Sequence, residues 1–100
     1  MATGEPSHPW QNQEITELSQ AVASLRTPEE VGVFLRDLCT LSELEAMAHR
    51  WQVARLLEEG LPYLEISRRT HASTTTVTRV AHWLNHGEGG YRLALDRTAS

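Results

Sequence analysis

The strongest constraint on this chain is a short interruption. Two stretches with helical apolar spacing, about 63–70 and 74–85, are separated only by His71, Ala72 and Ser73. In the first, Ile66 and Thr70 are four apart. In the second, Val77, Val80 and Leu84 fall at i, i+3 and i+7, the stripe of a half-buried helix. Helices joined by so few residues cannot fold back as ordinary antiparallel neighbours and must cross steeply. Local propensity opposes this reading, because Thr74, Thr75, Thr76, Val77 and Thr78 are β-branched and favour a strand. A strand of period two, however, would put Thr75, Val77 and Arg79 on one face and part Val77 from Val80. A helix gathers Val77, Val80 and Leu84 and turns Thr74, Thr75, Thr78 and Arg79 outward. Ser67 is small where the helices approach, Ala72 plugs the turn, and Ser73 caps the second helix. His71 stands where such a turn often uses glycine; histidine visits positive φ more readily than most residues.

The rest of the chain extends this helical pattern. Ile15, Leu18, Val22 and Leu25 predict a helix over about 14–24. At 27–30, "TPEE" is a start signal: Thr27 caps, Pro28 suits the first helical position, and Glu30 can return a bond to the cap amide. Val31, Phe34, Leu35 and Leu38 follow on one side. Thr40 and Glu43 repeat the cap spacing and open a third helix through Met47, Trp51, Ala54 and Leu57, stopped at Gly60. Pro62 opens the fourth helix. After the turn "NHGEGG" at 85–90, a short sixth covers about 91–97. No pair of strands with a hairpin turn is recognisable. The expectation is an all-α fold of about six helices with a helix-turn-helix. Residues 1–12 read as a flexible N-terminal tail and 13–98 as one small domain.

Charge is uneven. Residues 1–60 carry ten acids and four arginines, a net of −6; residues 61–100 carry five arginines and three acids, a net of +2. The overall −4 thus hides a mildly basic C-terminal part that suits a phosphate backbone. A recognition helix presents its N-terminal residues to base edges in the major groove. Threonine offers a hydroxyl to either kind of base group and a methyl to thymine. The candidate DNA-binding residues are therefore Arg68, Arg69, Ser73, Thr74, Thr75, Thr78 and Arg79. Arg68 and Arg69 are placed for phosphates, and Arg79 for a guanine or a phosphate. With so small a positive balance, specificity has to come from base contacts, bound water and DNA shape.

Other function classes find little support. No Ser–His–Asp or Cys–His order, Gly-rich phosphate loop or H-E-x-x-H pattern points to an enzyme or a catalytic residue. No cofactor motif is present. His82 and His86 share a face at metal-ligand spacing, but with no third ligand nearby they read as surface histidines. Arg50 and Arg55 read as solvated partners of Glu58 and Glu59. Cys39, the one cysteine, excludes an internal disulfide. No apolar run approaches the roughly 20 residues of a membrane span, and the N-terminus lacks a secretory pattern, so the expected location is cytoplasmic.

From Leu25 to Arg97 the chain resembles the Trp-repressor-like superfamily, in particular its small bacterial YerC/YecD-like branch. The resemblance is carried by "LRTPEEVGVFLRDLCTLSELEAMAHRW", "LLEEG", "EISRRTHASTTTVTRV" and "LNHGEGGYRLAL". It implies an intertwined homodimer and a transcription regulator, of the repressor kind, on a two-fold operator in double-stranded DNA. It also implies a possible ligand pocket. Thr40 and Arg50 match its core side; Thr76 and Arg79 match its helix side. Val80 stands where a glycine leaves room for an indole, and Trp83 where a small serine bonds an amino group. Together these two add on the order of 200 Å² of side-chain surface. They are expected to fill the pocket from within, so that free tryptophan is not the corepressor and any effector is unknown. A competing reading is a helical protein-interaction module that turns the same helix pair toward a protein partner.

Overall fold

A computed structural model describes residues 9–99 and contains six α-helices and no strand among them. The chain divides into two compact units, residues 1–40 and 41–100. Residues 1–8 of the expected tail lie outside the described residues.

The first unit holds α1 (Gln13–Ala23) and α2 (Pro28–Leu38). Asn12, at the end of the expected tail, caps α1 by accepting from the Ile15 amide at 2.8 Å. Thr27 caps α2 by accepting from the Glu30 amide at 3.1 Å. Glu30 does return a bond, but to the amide of Arg26 at 2.8 Å and not to that of Thr27. The reciprocal cap is thus displaced one residue toward the N-terminus. Neither helix contains a buried residue. Leu18, Val22, Val33 and Leu38 are all exposed, although apolar side chains recur at helical spacing.

The second unit contains α3 (Leu41–Glu58), α4 (Tyr63–Thr70), α5 (Thr74–His86) and α6 (Gly90–Thr98). Its core is Val53 and Ala54 of α3, Ile66 of α4, and Val77 and Val80 of α5, each at most 1% exposed. Leu57, Leu61, Ala72 and Tyr91 pack around them, and Leu84 is half-buried. Trp51 of α3 stacks on Tyr91 of α6 with ring centroids 6.5 Å apart and planes 7° from parallel. α3 shows no single apolar stripe, and within this unit it buries only Val53 and Ala54.

Gly60 ends α3 at φ +86°. Its amide donates to Leu57 O at 3.0 Å, and the Leu61 amide donates to Leu56 O at 3.3 Å. This pair of bonds is the Schellman closure, which requires a left-handed residue at that point. A second tie was not anticipated. Arg92 of α6 donates to both carboxylate oxygens of Glu58 and to Asp96. Glu58 is therefore paired with a residue 34 positions away, and not with Arg55. Arg55 instead donates to Gln52 at 2.9 Å.

Candidate nucleic-acid interface

The turn between α4 and α5 satisfies its own polar groups in a sequence-specific way. His71 closes α4 in the left-handed region at φ 61°, ψ 12°. Thr70 Oγ1 donates to Ile66 O at 2.8 Å and accepts from the Ala72 amide at 3.2 Å. Ser67 Oγ donates to Ala72 O at 2.5 Å, so the small side chain at the crossing also fastens the turn. Ser73 accepts from the Thr76 amide at 3.1 Å and caps α5. Every polar residue of "SRRTHAS" except the two arginines and His71 is thus used to hold the turn. Below it, Ile66, Val77 and Val80 lock the helix pair onto α3.

With that anchorage, α5 presents a continuous outer face. Thr74, Thr75, Thr78 and Arg79 are exposed and line one shallow open surface with His82. His82 lies one turn beyond Thr78 and extends the face; i, i+4 spacing was the signal for it. Ser73 is exposed at the helix start. No charged residue other than Arg79 lies within "STTTVTR".

Arg68 and Arg69 are exposed at the end of α4, but both are engaged. Arg68 Nη2 donates to the two carboxylate oxygens of Glu65 at 2.6 Å each, and Arg69 Nε donates to Oε2 at 2.7 Å. The bond from Arg68, then that from Arg69, holds the Glu65 carboxyl below the usual carboxylate range. The same contact raises the pKa of Arg68. Spacings of three and four residues could have revealed Glu65 as the shared partner.

On the other side of α5 lies a concavity of about 510 Å³. It brings together Arg50, Thr76, Arg79, Val80 and Trp83, five of the six expected pocket residues, and adds His49, His71 and Tyr91. Thr40, the sixth, ends the first unit, directly before α3. The two residues expected to fill this space behave differently. Val80 is buried in the core, whereas Trp83 is 53% exposed. Its indole forms a wall of the concavity and meets His82 edge-on, with centroids 5.2 Å apart. Within this unit Trp83 therefore shapes the space rather than plugging it. Val77 and Val80 close the core beneath, and the indole packs against the His82 ring at the helix surface. No group of three or more metal-ligating side chains occurs among the described residues. No helix among them is long and apolar enough to cross a membrane.

A capped helix pair joined by three residues, with an exposed hydroxyl and arginine face, defines a helix-turn-helix protein. Residues 13–99 match the family described as Trp repressor protein. The chain belongs to that family, one of DNA-binding regulators. It is 44% identical over 84 residues to the uncharacterized protein YerC of Bacillus subtilis (strain 168), covering 84% of this chain and 81% of that one. Its fold is similar to the crystal structure of a TrpR-like protein from Eubacterium eligens ATCC 27750. The TM-score is 0.82 and the identity 38%, over 87% of this chain and 90% of that one. It is also similar to a candidate Trp repressor from Staphylococcus aureus, with a TM-score of 0.81 and 36% identity over 87% of each chain.

Proposed function

We propose that this protein is a sequence-specific transcription regulator that binds a two-fold DNA operator as a homodimer in the cytoplasm. The observation that carries this reading is the outer face of α5. Thr74, Thr75, Thr78 and Arg79 stand exposed on a helix whose opposite side is locked into the core. Short hydroxyl side chains let such a helix sit deep in the major groove, with direct or water-bridged base contacts. Ser73 opens that helix, and Arg68 and Arg69 reach for phosphates beside it. A two-fold axis would space the half-sites about 34 Å apart.

The homodimer is supported by the first unit. α1 and α2 carry regularly spaced apolar residues but bury none of them, and a second copy of the chain supplies the missing cover. Free tryptophan is not the corepressor in this reading. Val80 and Trp83, bulkier than the glycine and serine that the resemblance leads one to expect there, both line the concavity and narrow it. Any effector binding there would meet Arg50, Thr76 and Arg79.

The test is selection from a pool of random duplexes by wild type and by Arg79→Ala, with the mass in solution measured in the same buffer. Enrichment of a two-fold site by a dimer, lost with Arg79→Ala, is the expected result. A folded dimer that enriches nothing at low salt would turn the assignment toward a protein partner for the same face. Added tryptophan should leave the enriched affinity unchanged; micromolar dependence on it would refute the corepressor statement.

A further inference from the structure

Resting on the reading of α4 and α5 as a DNA-contacting pair, we propose that Glu65 is an internal competitor for the phosphate-contacting arginines and sets the sequence-independent share of DNA affinity. One carboxylate takes three hydrogen bonds from two arginines, at 2.6, 2.6 and 2.7 Å. The trio carries a net charge of +1 where the two arginines alone would carry +2. Glu65 lies under them: its side chain is 27% exposed, against 73% for Arg68 and 55% for Arg69. The arginines project past the acid toward solvent, and a phosphate approaching them meets their charge already partly offset. Because the acid sits at hydrogen-bond distance, far inside a Debye length of about 10 Å at 0.1 M salt, salt does not remove the offset. The hydrogen bonds from Arg68 and Arg69 also favour the ionised carboxylate.

The base-reading residues are on the other helix of the pair, and none of them touches Glu65 in these bonds. Phosphate contacts carry no sequence information, so Glu65 should lower affinity for every duplex by the same factor. This suits a regulator with few basic residues on its reading face. Weak non-specific binding keeps the protein from being held on the many competing genomic sites.

The experiment compares full-length wild type, Glu65→Gln, Arg68→Ala/Arg69→Ala and the triple variant. Each is titrated onto a random-sequence duplex and onto the selected site between 50 and 200 mM salt, with thermal melts to establish folding. Glu65→Gln is expected to tighten both duplexes equally, by roughly tenfold per subunit at 50 mM and roughly threefold at 200 mM. The slope of log affinity against log salt should steepen by about 0.9 per subunit. The gain should vanish when Arg68 and Arg69 are absent. Unchanged affinity in a folded Glu65→Gln protein would overturn the proposal, leaving Glu65 as a brace of α4. Weaker binding would also overturn it, making Glu65 an orienting partner of the arginines. In both cases wild-type binding to DNA would leave the broader reading intact. Only a folded wild type that binds neither duplex would remove both.

Discussion

Ile66 is the residue whose truncation tests the structural argument most directly, because the turn and both helices of the pair depend on it. It is 0% exposed and packs with Val53, Ala54, Val77 and Val80. Ile66→Ala removes three carbon groups, about 2.4 kcal/mol of transfer free energy at about 0.8 per group. The hole left behind adds about 24 cal/mol per Å³, or about 1.5 kcal/mol if some 60 Å³ stays open. The neighbours are poorly able to fill it. Val53 and Val77 are β-branched and helical, each with essentially one allowed rotamer, and Ala54 has no rotamer to change. The expected loss is therefore about 3–4 kcal/mol, in the upper part of the usual range for such truncations. That is a large part of the stability of a small domain, typically about 5–15 kcal/mol. Ile66→Val keeps the shape near the backbone and should lose about 1 kcal/mol. Leu64→Ala, two residues away at 76% exposure, should stay within about 0.5 kcal/mol of wild type. Urea unfolding at one fixed protein concentration reads all three, since the midpoint of an associating protein depends on concentration. A loss below about 1.5 kcal/mol for Ile66→Ala, or one matched by Leu64→Ala, would refute the packing described.

Two further outcomes can be measured on the same footing. A side chain at Gly87 would run into the carbonyl oxygen and ring of Trp83; Gly87→Ala should therefore cost about 1–3 kcal/mol in urea unfolding and shift tryptophan fluorescence, whereas an unchanged midpoint would mean that α5 ends differently. The hydrogen bond from Arg92 holds the Glu58 carboxyl below its ordinary value of 4.5, so the stability it contributes is fully present above that value and is lost as pH falls through the lower folded value. The stability difference between wild type and Glu58→Gln should be constant above about pH 5 and shrink below pH 4.5, and a difference that grows on acidification would contradict the pairing.

Much of this molecule follows from local rules. Asn12, Thr27 and Ser73 can cap because each side-chain oxygen meets an amide within its own first turn. The helix-turn-helix was legible because the only period that gathers Val77, Val80 and Leu84 is that of a helix, and burial outweighs the strand preference of five β-branched residues. His71 could be placed in the tight turn because histidine tolerates the positive φ for which such a turn often uses glycine. The outer face of α5 follows from the same periodicity, since fixing the buried stripe also fixes its opposite.

What tertiary structure decided lies where partners are distant in sequence or where several directions were open to one side chain. Nothing local marks Arg92 as the partner of Glu58, because α6 reaches α3 only after the chain has turned three times. The stacking of Trp51 on Tyr91 has the same origin. Trp83 shows the other limit. Its position on α5 is set by the helical period, but whether its indole fills or walls the neighbouring space is decided by the packing around it. Glu65 lies between the two cases. Its spacing to Arg68 and Arg69 is local, yet the choice of both arginines over solvent is a matter of geometry. The backbone period is set by the sequence nearby; the company each side chain keeps is set by which surfaces the fold brings within a few ångströms.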